Sequence, residues 1–116
     1  MDVIEHLTED TFEATTKRPG LTVIDFWAGW CGPCRAMAPQ FERAAAVRPQ
    51  YRFAKVDVDA EPALAASYGV RSIPTLVVLR DGEPVAADAG VIGAPQLVDA
   101  LDRLAAAATP RDSEAA

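Results

Sequence analysis

The sequence predicts an α/β domain: a central five-stranded mixed sheet with four helices flanking it. Three observations carry that expectation. Apolar runs of strand length alternate with segments of helical period. The run from Leu21 to Ala28 is broken only by Thr22 and Asp25, as in a strand covered on both faces. Asp81-Gly82 joins two strand-like stretches as a tight hairpin. With 116 residues, half of them apolar, the chain is long enough for one domain with its own core.

In chain order, Val3 to His6 is a short first strand. Thr8 offers an N-cap, with Glu9 and Asp10 in the first turn and Phe12 as an apolar contact, so a helix is expected from about Thr8 to Lys17, ended by Pro19-Gly20. Leu21 to Ala28 is the central strand. Beyond Cys34, Met37, Phe41, Ala44, Ala45 and Val47 recur near helical spacing up to Pro49, and Pro39 inside that pattern should kink the helix rather than end it. Tyr51 to Val58 reads as the next strand, which makes a βαβ unit with parallel strands. Glu61 to Tyr68 is a short helix with Gly69 at its end. Thr75 to Leu79 and Pro84 to Ala87 form the antiparallel hairpin, and Leu97, Val98, Leu101 and Leu104 mark the buried face of a last helix from about Ala94 to Ala107. The domain is expected over residues 1–108, with 109–116 a polar, disordered tail.

Composition narrows the function classes. A formal net charge of −6 with 24% charged residues is neither a nucleic-acid footprint nor a disordered polyampholyte. No apolar run approaches a membrane span, and Met1 to Glu5 lacks a basic segment leading into an apolar core. A soluble cytoplasmic protein is expected, with protein or small-molecule partners and no membrane or nucleic acid.

Both cysteines, Cys31 and Cys34, lie within Trp30-Cys31-Gly32-Pro33-Cys34, where a strand hands over to a helix. A helix N-terminus presents unpaired N–H groups and partial positive charge, which favour thiolate over thiol. The three-residue spacing puts both side chains on one helical face, within reach of a small disulfide ring. A bridge closing so short a loop stabilises by about 2 kcal/mol at best, which is a poor reason for such a pair and suits one that opens and closes. Cys31, at the very N-terminus and nearer solvent, is the expected nucleophile; Cys34, a turn deeper and better screened, is the expected resolver. The competing reading is a metal-ligand pair, but two cysteines and one histidine, His6, fall short of the four ligands zinc takes, and no metal is expected.

Asp25 interrupts an apolar strand. A buried, unpaired carboxylate has a raised pKa and is placed to accept the proton Cys34 must lose; a strand residue facing a solvated edge is the bland alternative. Lys55, one of two lysines beside nine arginines, stands mid-strand where an apolar residue is expected; near Asp25 it would lower that carboxylate's pKa, and alone it equally suits a lysine snorkelling from the sheet. Ile73-Pro74 precedes a strand, and from sequence alone the bond is taken as trans.

The stretch from Phe26 to Arg35, with Ala38-Pro39 and Ile73-Pro74-Thr75, closely resembles the active-site segments of thioredoxins, and the resemblance runs from about Val3 to Ala107. It implies the thioredoxin fold and a thiol-disulfide oxidoreductase that reduces disulfides in protein substrates through Cys31 and Cys34, with no bound cofactor. It implies a thioredoxin reductase as electron source, and a monomer is expected. It also implies that Asp25 is the family's buried aspartate, that Lys55 modulates it, and that Gly32-Pro33 tunes the redox potential toward reduction. A cis bond at Pro74, lying against the disulfide, is a further implication. So is a substrate-binding rim that includes Trp30, Ile73, Pro74, Thr75, Gly90 and Val91, where Ile73 and Thr75 backbone groups are free to pair with an extended segment. The alternatives are a disulfide oxidant or isomerase, and a redox-independent binding subunit that uses the same rim. Gly29 and Ala89 depart from the family's commoner, larger residues.

Overall fold

In the computed structural model, which describes residues 3–107, the run expected to be covered on both faces is β2 (Leu21–Trp27), and it lies at the centre of the sheet. Around it the chain runs β1 (Ile4–His6), α1 (Glu9–Thr16), β2, α2 (Gly32–Val47), β3 (Arg52–Asp57), α3 (Pro62–Ser67), β4 (Thr75–Arg80), β5 (Glu83–Ala89) and α4 (Ala94–Ala106). The sheet order is β1-β3-β2-β4-β5. β1 and β2 pair parallel with β3, β4 is antiparallel to β2, and β5 is antiparallel to β4. The element order and mixed sheet are those the sequence predicts. The expected tail, 109–116, lies outside the described residues.

Period-2 alternation sorts the strand residues between two cores. Leu21 and Val23 of β2 and Phe53 of β3 join Met37 and Phe41 of α2 and Leu97 and Leu101 of α4. Ile24, Phe26, Ala54 and Val56 point the other way, onto Phe12 of α1 and Ala65 of α3. By the same alternation Asp25 and Lys55 fall on the α2 side of the sheet. That parity decides which helix the two charged residues meet.

Local chemistry sets the ends of the elements. The Thr8 N–H donates to Thr11 Oγ1 at 3.0 Å at the start of α1. At the end of α3, Gly69 adopts φ +66°, while its N–H donates to Ala66 and that of Val70 to Ala65, both at 3.0 Å. This is a Schellman cap, and it aims residues 70–73 at the end of β2. Asp81 and Gly82 both have positive φ, 52° and 90°, as a type I′ hairpin requires. α2 continues through Pro39.

β5 is longer than Pro84 to Ala87. Its sequence, with three alanines and the charged Glu83 and Asp88, lies on an exposed sheet edge, where no buried face imposes an apolar alternation. Pro84, at that edge, is opposite Leu79 where the ladder shifts register. No helix among the described residues is long and apolar enough to cross a membrane.

Candidate active site

β2 ends at Trp27, and the chain turns into α2 through Ala28–Cys31, with the Cys31 N–H donating to the Ala28 carbonyl at 3.2 Å. Cys31 is the N-cap of α2, in an extended conformation, and Gly32 and Pro33 fill the first helical turn, where proline's missing N–H costs nothing. The Cys31 Sγ accepts the Cys34 N–H at 3.2 Å. A sulfur in that position is met by an orphan amide and the positive end of the helix, the two influences that stabilise a thiolate. The cysteines are joined as a disulfide with Cα atoms 5.2 Å apart.

One expectation is corrected here. Cys31 is no more exposed than Cys34; each is 4% accessible, because Ala28, Trp27, Val58 and Ile73 pack around the pair. The difference between the two sulfurs lies in the N-cap position and its hydrogen bond, not in exposure.

Asp25 is fully buried, and neither carboxylate oxygen has a hydrogen-bond partner among the described residues. Burial pushes its pKa up to about 6, against a smaller opposing pull from Lys55. Lys55 is the register partner of Asp25 on β3, and its ammonium lies 5.0 Å from the centre of the Trp27 ring. The solvated-edge reading of Asp25 is thereby excluded. Trp27 backs the motif, half-buried, with a buried indole N–H that has no hydrogen-bond partner among the described residues.

The Ile73–Pro74 bond is cis, and Pro74 is buried. The carbonyl oxygen of Ile73 lies 3.7 Å from Cys31 Sγ, so this bend rests against the disulfide. Ile73 stands outside the strands, whereas Thr75 begins β4 with Phe26 and Ala89 as its register partners. Gly90, at φ +98°, donates its N–H to the Pro74 carbonyl at 2.8 Å, a conformation that favours glycine. That bond brings the segment carrying Val91 to the site, with Val91 50% exposed. Trp30 is 68% exposed, and its indole N–H donates to Asp59 Oδ2 at 2.8 Å.

Sequence reasoning missed three contributors. Asp59 steadies Trp30 from the loop between β3 and α3. Met37 Sδ accepts the Ile92 N–H at 3.5 Å, and Gln40 Oε1 accepts the Ala94 N–H at 2.9 Å, so α2 holds the loop from Gly90 to Gly93. The available signal was Gln40, a polar residue in a helix expected to bury one face. Among the described residues, no group of three or more His, Cys, Asp or Glu side chains is placed to hold a metal ion.

Comparison with known proteins follows the same lines. The family model described as Thioredoxin matches residues 3–103. A thioredoxin of Streptomyces clavuligerus is 48% identical over 84 residues, covering 72% of this chain and 78% of that protein. Thioredoxin 1 of Synechococcus elongatus is 38% identical over 105 residues, 89% of this chain and 98% of the relative. Among solved structures, a mutant thioredoxin from Halobacterium salinarum NRC-1 superposes with a TM-score of 0.82 at 33% identity, covering 90% of this chain and 93% of the other.

Proposed function

The chain belongs to the thioredoxin family and is a protein-disulfide reductase that works by dithiol–disulfide exchange; within that activity, we propose that Cys31 is the nucleophile and Cys34 the resolving thiol. The observation that carries the assignment is the Cys34 N–H donated to Cys31 Sγ at the N-cap of α2. In the reduced protein the Cys31 thiolate attacks one sulfur of a substrate disulfide. A mixed disulfide forms, and the other substrate sulfur leaves as a thiolate that takes up a proton. Cys34 then gives up its proton and attacks Cys31 Sγ. The second substrate sulfur is expelled, and Cys31–Cys34 carries away the two-electron oxidation, the state seen here.

Asp25 is the acceptor of the Cys34 proton, directly or through water. It is buried on the α2 face, and a carboxyl with a pKa of about 6 is mostly ionised at neutral pH, ready to take a proton, yet close enough to neutrality to pass it on. Lys55 tunes Asp25, and Gly32 and Pro33 tune the potential between the cysteines. The cis bend at Pro74, with Ile73 and Thr75 beside it, and the rim of Trp30, Gly90 and Val91 receive an extended segment of the substrate. Electrons return from a thioredoxin reductase, and the protein works as a cytoplasmic monomer without a bound cofactor.

Single-cysteine variants test the division of labour. Cys34→Ser, reduced and then offered an oxidised protein substrate, should accumulate a covalent mixed disulfide through Cys31. Cys31→Ser should accumulate none. Accumulation by Cys31→Ser alone would reverse the roles.

A further inference from the structure

A groove of about 430 Å³ lies between α1, the end of α3 and the Asp81–Gly82 hairpin. The start of β2 pairs with the end of β4 beside that hairpin, whereas the disulfide follows the end of β2. Groove and disulfide therefore lie at opposite ends of a seven-residue strand, which spans roughly 20 Å. Phe12, Leu64 and Pro84 give the groove its apolar lining, together with the Tyr68 ring, whose centroid is 5.5 Å from that of Phe12. Gly82 seats the hairpin on α1: a Cβ there would stand 3.3 Å from Lys17 Cγ.

The charges of the groove are unevenly satisfied. Lys17 is committed to Glu13, Nζ to Oε1 at 2.6 Å, and feels Glu83 only as a weaker pull. The exposed Glu83 carboxylate makes no ion pair or hydrogen bond among the described residues. The Tyr68 hydroxyl has no hydrogen-bond partner among them either. Burial, and then the charge of Glu83, push the Tyr68 phenol above its ordinary pKa, so hydroxyl and carboxylate are neighbours. One positive charge thus stands against two negative ones.

We propose that this groove docks an arginine side chain, flanked by an apolar residue, from the surface of a protein partner, with the guanidinium held between Glu83 and Tyr68. Two properties select arginine over lysine. Its planar fork donates to a carboxylate and a hydroxyl together, and its weakly hydrated face stacks on an aromatic ring. The apolar neighbour covers Phe12 and Leu64. A formal net charge of −6 also draws cationic surfaces toward the chain. None of the thiol chemistry is used. A partner seated here leaves Cys31 and Trp30 uncovered, so the protein can be held on that partner while it exchanges disulfides.

The test titrates the oxidised full chain with acetyl-Leu-Arg-Leu-amide, and with the same peptide carrying uncharged citrulline for arginine, while amide resonances are followed by nuclear magnetic resonance. The arginine peptide should shift the amides of Ser67, Tyr68, Gly82 and Glu83. It should bind roughly 3- to 5-fold more tightly than the citrulline peptide at low ionic strength, and the gap should narrow with salt. Glu83→Gln should erase that preference and leave reduction of bis(2-hydroxyethyl) disulfide unchanged. Tyr68→Phe, which keeps the ring, should weaken the arginine peptide about 2-fold. Equal binding of the two peptides, no shifts at all, or shifts gathered around Trp30 and Ile73 would each overturn the groove as an arginine site. Shifts at the four amides that grow with protein concentration in the absence of peptide would assign the groove to a second copy of the chain and overturn it as well.

Discussion

Asp25 and Lys55 are register partners on adjacent strands and lie on the same face of the sheet, yet the ammonium rests over Trp27 and, among the described residues, both carboxylate oxygens are left without a hydrogen bond. Burial therefore wins over charge attraction, and the folded pKa of about 6 stands above the ordinary carboxylate value of 3.8. Between those two values the folded protein binds more protons than the unfolded chain. Stability consequently falls as pH rises through that window, and the loss, about 3 kcal/mol, is complete above the folded pKa. Asp25→Ala should make the oxidised protein more stable at pH 7 by on the order of 1–2 kcal/mol once the lost packing is subtracted. At pH 3.5 the gain should vanish. Urea unfolding of both proteins at the two pH values measures this, and a variant no more stable at pH 7 would refute it.

The same carboxyl governs the second half of the exchange. If Asp25 accepts the Cys34 proton, release of substrate from the Cys31 mixed disulfide should accelerate with pH through about 6. Asp25→Asn should lose that limb and slow release while leaving the first attack by Cys31 near its native rate. Because Lys55 pulls the Asp25 pKa down, Lys55→Met should move the midpoint to higher pH. Stopped-flow tryptophan fluorescence on a preformed mixed disulfide separates the two steps. An unchanged midpoint in Lys55→Met would show that its charge does not reach Asp25.

Sequence patterning reveals a residue's surroundings where those surroundings are local. β2, α2 and the Asp81-Gly82 turn were legible because apolar period, helix position and positive-φ residues act over a few neighbours, and the two cysteines carried their own chemistry. Asp25 was legible as an exception to its strand. The extent of β5 was not, since an exposed edge asks nothing of its side chains. The cis bond at Pro74 followed only from the thioredoxin resemblance; local preference points to trans. The Trp30–Asp59 bond spans 29 positions and the Gln40–Ala94 bond 54, and nothing in either neighbourhood announces its partner. Equal burial of Cys31 and Cys34 likewise depends on Ile73 and Val58, which arrive from other elements.

Gln40 offers a test of how far the rim depends on α2. Gly93, the N-cap of α4, has no side chain to satisfy the first amides of that helix, and Gln40 supplies the acceptor for Ala94. Gln40→Leu keeps the bulk and removes the acceptor, so it should cost about 1 kcal/mol of stability. If the Gly90–Gly93 loop binds substrate, KM for a protein disulfide should rise several-fold with little change in kcat. Gln40→Glu should restore both, because a carboxylate accepts the same N–H and suits a helix N-terminus. Loss of stability without a KM effect would make Gln40 a cap and nothing more.

Asp102 on α4 ties that helix to the far end of α2. It accepts from Arg48 Nη2 and Nε, both at 2.9 Å, and from the Tyr51 hydroxyl at 2.7 Å. Those hydrogen bonds hold its pKa down at about 2, well below the ordinary value of 3.8. A carboxyl with a depressed folded pKa contributes stability that is fully present above its unfolded value and is lost as pH falls through the folded one. Asp102→Asn should therefore lower Tm at pH 7, and the difference from the native protein should close as pH falls from about 4 toward 2. The amide still fits the site and still accepts from Tyr51, so a Tm gap that stayed constant down to pH 2 would assign the loss to packing and not to charge. The exposure of the pair, 32% for Arg48 and 39% for Asp102, makes salt a second lever. Added salt at pH 7 should narrow the gap without abolishing it, because the two-pronged guanidinium–carboxylate geometry survives screening.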